Sequence, residues 1–341
     1  MIKDNISKKT PRVSVVMAIY KEPVEWMKLS IDSILNQSFR DFEFIIVNDN
    51  PSRIENHDML DEYTKRDCRI IVITNEQNIG LTKSLNKGLE IARGKYIARM
   101  DADDISMPER FEKQFTFLEN NLEIDVCGSF IRPFGKVSML TSKEKRFPRL
   151  HGDIVSTLLF ENPVAHPVVM IRRCIADWYF RYNEAIKKAQ DYYLWYDLYI
   201  HGAKFHNLQL GLLNYRISNV QISSTSSSDQ LSTADMIHKE LLSSIGITEP
   251  FDIDVHNEIC RLKKNKYSLE DKTNYLIKLH SLIRDTQDSG KSLYIIKKYS
   301  MLTCLVHKKF KAVFCFPYVK VSDIFSKWFI REFVKSLIGK L

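Results

Sequence analysis

The 341-residue chain contains no Cys-x-x-Cys pair, and its six cysteines (Cys68, Cys127, Cys174, Cys260, Cys304 and Cys315) are scattered, with no histidine cluster at metal-ligand spacing beside them. That argues against a zinc ribbon or a disulfide scaffold and predicts reduced, mostly buried thiols. No apolar stretch approaches the roughly 20 residues that cross a bilayer as a helix, so any membrane contact is expected to be peripheral. The opening MIKDNISKKTPR is polar and lacks the hydrophobic middle of a secretory signal, which points to the cytoplasm. Glycine is also scarce, with 11 residues, and none lies in AIYKEP, Ala18 to Pro23, where the first strand turns over. A nucleotidyltransferase or a dinucleotide dehydrogenase needs a Gly-rich phosphate loop there, and its absence argues against both.

What is present is an ordinary globular composition, 44% apolar and 27% charged, on a chain long enough for one large domain with an appendage, or for two domains. From Val13 short β-branched runs alternate with helical periods, the pattern of a mostly parallel sheet covered by helices. Strands are expected at Val13 to Ile19, Phe42 to Asn48, Arg69 to Thr74, Lys95 to Met100 and Ile124 to Phe130. Helices are expected from about Pro23, over Leu81 to Ala92, and from Pro108 to about Glu119. Arg132 to Arg149 is polar with little periodicity and reads as a mobile loop. A helix to Phe160 follows from His151, then a strand at Val168 to Arg172, a helix at Asp191 to His201, and a short strand near Leu212 to Ile217. The Ser-rich SSTSSSD, Ser223 to Asp229, marks a boundary, beyond which the pattern is helical.

The net charge of +8 is concentrated at one end, since residues 291 to 341 carry eleven Lys/Arg against Asp323 and Glu332. Within Ser322 to Leu341, Ile324, Phe325, Trp328, Phe329, Phe333, Val334, Leu337 and Ile338 share one helical face, with Lys327, Arg331 and Lys335 on the other. This basic amphipathic helix either docks on an anionic membrane or packs its apolar face on the rest of the chain. No nucleic-acid-reading motif accompanies the charge, and nucleic acid is not an expected partner.

The strongest local signal is MDADD, Met100 to Asp104, at the end of the fourth strand. Ligands of open α/β sheets bind beyond the carboxyl ends of the strands. Three acids in four residues there can clamp a hard divalent cation and a diphosphate. A solvated loop capping the next helix would use the same residue types, and the cluster alone leaves both readings open.

The ordered series VSVVMAIYKEP, FEFIIVNDNPS, NEQNIGLTKSLNKGLEIARGKYIARMDADD, NPVAHPVVMIRR, AQDYYLW and NYRISNVQIS resembles the family 2 glycosyltransferases over Arg12 to about Ser224, some two-thirds of the chain. The resemblance implies an inverting enzyme of the GT-A α/β fold that moves a sugar from a nucleotide-sugar, expected to be a UDP-sugar, to a hydroxyl of a glycan or lipid-linked acceptor in surface polysaccharide, lipopolysaccharide or capsule synthesis. It implies Mn²⁺ or Mg²⁺ as cofactor. Carried over by position, Ile19, Tyr20 and Glu22 line the nucleoside pocket, and Asp49 accepts a hydrogen bond from the base. Asn78, Gly80, Lys83 and Asn86 lie beside the donor. Asp101 holds ribose or sugar hydroxyls and supports the metal, Asp103 holds the metal, and Ala102 lies between them. Asp104 shares those tasks or braces the loop. Asp191 is the implied catalytic base, His166 lies on the acceptor side, and Arg216, Gln221 and Ser223 close over the diphosphate or acceptor.

Two positions depart from the pattern: Ser218 stands where many relatives carry a metal-side His, and Ala18 replaces a frequent Pro. The Gln-x-x-Arg-Trp motif and membrane spans of processive synthases are missing, so one sugar per encounter is expected. The expected organisation is a polar lead over 1–11, a GT-A domain over 12–224 and a helical region over 225–341 whose exposed apolar faces would permit a homodimer. The competing reading is a non-catalytic, membrane-associated scaffold that keeps the transferase fold and binds glycan or nucleotide without turnover.

Overall fold

The computed structural model describes residues 10–136, 143–175, 177–218, 228–263, 266–286, 293–307 and 310–319. Val13–Ile19 (β1) and Phe42–Asn48 (β2) are buried at every position, as expected of parallel strands covered on both faces. They pair in parallel with each other. Ile70–Thr74 (β3) extends the sheet on the β2 side, and Tyr96–Arg99 (β4) extends it on the β1 side. Val24–Leu35 (α1) buries Met27, Ile31 and Ile34, four and then three residues apart, so one face of the helix lies on the sheet. Ile54–Arg66 (α2) and Leu81–Ile91 (α3) connect the remaining parallel strands.

Beyond β4 the chain adds Ile105–Ser106 (β5), Arg110–Asn120 (α4), Val126–Gly135 (β6), His151–Leu158 (α5), a 3-10 turn at His166–Val168, and Met170–Arg172 (β7). Cys174–Ile175 (β8) pairs with Trp178–Tyr179 (β9) as a small separate ribbon, before Gln190–Ile200 (α6) and Phe205–Ile217 (β10). The eight-stranded sheet runs β3-β2-β1-β4-β7-β6-β10-β5, with β7 and β5 antiparallel to their neighbours. The strand order reverses direction of growth at β1 and β4. That switch point is where a crevice opens at the carboxyl ends of open α/β sheets.

Two expectations are corrected. Arg132 to Arg149 is not a loop throughout: Arg132 to Gly135 belong to β6, and Lys145 bridges Ile131. The strand near Leu212 begins at Phe205, because β10 pairs in parallel along β6 with register shifts around Gly211. Pairing across the sheet supplies what the polar sequences HNLQ and RPFG do not signal locally. The basic helix expected over Ser322 to Leu341 lies outside the described residues.

The chain divides into two compact units, one of residues 1–151 and 164–230, the other of 152–163 and 231–341. The second is helical in its described residues, with Ser228–Ser244 (α7) leading in, then Pro250–Cys260 (α8), Leu269–Thr286 (α9) and Leu293–Val306 (α10). The 152–163 stretch joins it through specific contacts. Leu159 O accepts from His256 Nε2 at 2.6 Å, Phe160 stacks on Tyr299 at 4.5 Å, and Glu161 pairs with Lys298 at 2.6 Å.

Gly94 sets the approach of the α3–β4 connection to β1. Its amide donates to Ser14 Oγ at 2.8 Å, and a Cβ there would lie 2.5 Å from the Ser14 backbone nitrogen. Backbone cannot swing aside as a side chain does. Gly94→Ala is therefore expected to lower unfolding free energy by about 2 kcal/mol or more, read as a shift of the urea midpoint at unchanged slope. An unchanged midpoint would contradict this packing.

Candidate active site

The parallel strands β1, β2 and β4 end on the same edge of the sheet, and the MDADD loop leaves β4 there. Here Asp101, Asp103 and Asp104 each bring a carboxylate oxygen within 4.8 Å of the others. The loop is anchored from below and from the side. Ser30 on α1 donates to Asp101 O at 2.8 Å, and the Arg216 backbone amide on β10 donates to Asp104 Oδ1 at 2.8 Å. Arg216 Nε donates to Asp103 O at 2.7 Å, while its guanidinium lies 4.5 Å from the ring centres of both Trp26 and Phe134. Arg216 thus packs against the acid loop itself.

Burial, then Asp101 and then Glu22, push the Asp103 carboxyl up to about 6. Burial, followed by Asp101 and Asp103, raises Asp104 well above the usual carboxylate range. Asp104 Oδ2 is buried without a hydrogen-bond partner. Such an electrostatic arrangement is unfavourable for the protein alone and favourable with a cation among the oxygens. The donor set, all carboxylate oxygen, fits Mg²⁺ or Mn²⁺. Among the described residues the other group of that kind is His238, His256 and Cys260. There His256 is already committed through both ring nitrogens, Nε2 to Leu159 O and Nδ1 to the Tyr275 hydroxyl at 2.8 Å, as part of a packed core network.

Asp49 is buried rather than exposed on a turn. Its Oδ1 accepts from Asn75 Nδ2 at 2.8 Å and the Ile79 amide at 2.9 Å, and its Oδ2 from the Gly80 amide at 2.9 Å. Gly80, at φ 87°, sits in the left-handed region just before α3, where its missing side chain avoids strain, and Asn78 Oδ1 also accepts from its amide at 3.0 Å. Asp49 therefore shapes the loop carrying Asn78 and Gly80, and keeps acceptor capacity on Oδ2 for one more donor. Ile19 is buried, and Tyr20 is partly exposed with its amide donating to Glu22 Oε2 at 2.8 Å. Lys83 is exposed on the first turn of α3. Ala102 is buried between the two acids.

Asn86 is turned to another task. Its amide donates to Tyr182 O and Glu184 Oε1, both at 2.9 Å, and accepts from Tyr182 N at 2.9 Å, pinning the 182–184 segment. Tyr182 in turn places its hydroxyl 2.7 Å from His166 Nε2. Burial, reinforced by nearby Arg99, drives His166 well below its ordinary range and leaves it neutral near pH 7. Asp191 lies in the first turn of α6, just after Ala189 at φ 56°. Gln221 and Ser223 lie outside the described residues.

Two arginines escaped the sequence reading. Arg99, 3% exposed on β4, donates from Nη2 to Asp101 Oδ1 at 2.5 Å, while its Nε and Nη1 are buried without partners. Arg110, fully buried on α4, donates to Arg99 O at 2.7 Å and Val169 O at 3.2 Å, and burial lowers it to about 9. The available signal was an Arg inside YIARM, a run otherwise apolar and bound for the core.

A mostly parallel sheet flanked by helices, with carboxylates gathered at its switch point, is the architecture of a GT-A glycosyltransferase. The comparisons agree. Residues 14–179 match the family described as Glycosyl transferase family 2. The uncharacterized glycosyltransferase MJ1057 of Methanocaldococcus jannaschii is 41% identical over 209 residues, covering 61% of this chain and 72% of that one. The O-antigen biosynthesis glycosyltransferase WbnJ of Escherichia coli is 35% identical over 210 residues, covering 61% and 80%. Among solved structures, S. aureus TarS 1-349 in complex with UDP-GlcNAc superposes with a TM-score of 0.58 at 16% identity, over 96% of this chain and 92% of that one. The chain belongs to glycosyltransferase family 2 and is a glycosyltransferase enzyme, with a relative named for O-antigen biosynthesis. No described helix is long and apolar enough to cross a membrane.

Proposed function

We propose that the protein is an inverting, metal-dependent transferase that moves a sugar from a UDP-sugar to a hydroxyl of a glycan or lipid-linked acceptor during assembly of a bacterial surface polysaccharide. The observation that carries this reading is the convergence of Asp101, Asp103 and Asp104 at the carboxyl end of β4. A divalent ion held by Asp103 and Asp101 would offset the charge that grows on the leaving diphosphate.

The residues around it have separable tasks. Asp49 accepts the N3–H of the base through its remaining Oδ2 acceptor position, a contact that uracil offers and cytosine does not. Ile19, Tyr20 and Glu22 form the floor and rim beside it. Lys83, exposed at the start of α3, adds positive charge on the diphosphate side. Asp191 takes the proton from the acceptor hydroxyl as its oxygen bonds to the anomeric carbon. The bond from that carbon to the diphosphate oxygen breaks on the opposite face, which inverts the configuration. Neutral His166, held by Tyr182, offers the acceptor a polar contact without a competing charge. The support for uridine is the TarS likeness, and for a surface glycan the WbnJ similarity.

Titration calorimetry with UDP and CDP, each with Mn²⁺ or with chelator, tests the donor. UDP is expected to bind at least about tenfold more tightly than CDP, and only with metal. Equal or tighter CDP binding would reassign the base contact made by Asp49, and equal binding in chelator would remove the metal from the account.

A further inference from the structure

The opposite ends of the same strands carry a second concentration of charge, positive instead of negative. The register explains it. Tyr96 N bonds Arg12 O at 3.1 Å, Arg173 N bonds Lys95 O at 3.0 Å, and Tyr96 lies opposite Arg172 across the β4–β7 pair. Three distant stretches of sequence thereby bring Arg12, Arg93, Lys95, Arg172 and Arg173 around one cavity of about 560 Å³, with Cys174 at its edge.

Local pairing does not neutralise this cavity. Glu43 pairs with Arg93 at 2.5 Å, Glu119 with Lys95 at 2.6 Å and more loosely with Arg12 at 3.9 Å, and Asp125 with Arg172 at 3.7 Å. With Asp41, whose Oδ1 accepts from Arg12 N at 3.4 Å, five cations face four carboxylates. Arg173 makes no ion pair among the described residues; its Nη1 donates to Ala92 O at 2.9 Å. Arg172 is structural, donating to the Ile124 and Leu118 carbonyls and to the Tyr96 hydroxyl. The side chains of Arg12, Arg93 and Lys95 are each about half exposed, at 49%, 48% and 48%, and available to a ligand. Guanidinium forks match the paired oxygens of a phosphate group.

We infer that this cavity is a phosphate-binding site, separate from the donor site, for the phosphate group of an anionic ligand. It lies at the amino ends of β1 and β4, whereas the acids lie beyond their carboxyl ends. The seven residues of β1 span roughly 20 Å, too far for one diphosphate to touch both. The site stands whether or not the transfer chemistry proposed above is right.

Cys174 and Cys315 are both exposed, so the alkylation rate of Cys174, followed by peptide mass spectrometry on the full-length protein with Cys315 as internal reference, reads this cavity alone. In chelator, which disfavours diphosphate at the acid cluster, inorganic pyrophosphate is expected to slow Cys174 alkylation and leave Cys315 unchanged. The double substitution Arg12→Gln, Arg173→Gln is expected to raise the protecting concentration about tenfold or more. A parallel arm uses vesicles of phosphatidylcholine with phosphatidic acid. Protection by pyrophosphate alone assigns a free anion, and protection by the vesicles as well assigns a lipid phosphate headgroup as a further source. An unchanged Cys174 rate with both probes, or undiminished protection in the double variant, would overturn the site.

Discussion

Asp103→Asn is expected to abolish metal-dependent transfer, by about a thousandfold or more, while leaving the metal-free protein at least as stable as the wild type. The two effects have one cause. In the metal-free fold, Asp103 is mostly buried and faces Asp101 and Glu22, which together with burial raise it from the usual value near 3.8 to about 6. An acid whose folded value is raised destabilises the fold when ionised. That cost is fully present above about pH 6 and is relieved as pH falls through 6 toward 3.8. At pH 7 the neutral amide removes a cost on the order of 2 to 3 kcal/mol, so the variant's unfolding midpoint is expected to equal or exceed that of the wild type in chelator. Added Mn²⁺ reverses the ranking, because the wild type gains stability by mass action and the variant does not. Thermal unfolding with and without Mn²⁺ checks both halves, and a variant that is destabilised in chelator would show that Asp103 serves the fold.

Asp191→Asn is expected to lower kcat by about a thousandfold and to leave UDP affinity nearly unchanged. Asp191 belongs to the first turn of α6, where a carboxylate also interacts favourably with the helix amino terminus. A helix-terminal role alone would cost a few tenths of a kcal/mol to about 1 kcal/mol of stability and leave kcat largely intact. The split between kcat and donor binding therefore separates the two roles. Loss of UDP binding in this variant would move Asp191 from the acceptor to the donor side.

Much of this was legible in the sequence because the signals were local. VSVVMAI and FEFIIVN read as buried parallel strands, and both are buried at every residue. The Asp101 to Asp104 cluster was visible as spacing, and the ordered motifs supplied the family and, with it, the interest in Gly80. What stayed hidden depends on partners far apart in the chain. Arg216 meets Asp103 and Asp104 across more than a hundred residues, and Asn86 meets Tyr182 across 96. No periodicity encodes such pairings. Asp49 shows the same limit from the other side, since its position after β2 was clear but its grip on the Ile79 and Gly80 amides was not. The first half of β10 was hidden because HNLQ becomes a strand only through its ladder with β6. The positive cavity at the amino ends of β1 and β4 likewise exists only once the sheet register is known.

The central claim is that sugar transfer occurs at the acid cluster and requires a divalent ion there. Proton NMR of the wild type and Asp103→Asn, incubated with a panel of UDP-sugars and candidate lipid-linked acceptors in Mn²⁺ or chelator, tests it most directly. The account predicts one UDP-sugar consumed only by the wild type and only with Mn²⁺, giving a product of inverted anomeric configuration. Equal turnover in chelator, or by Asp103→Asn, would contradict it.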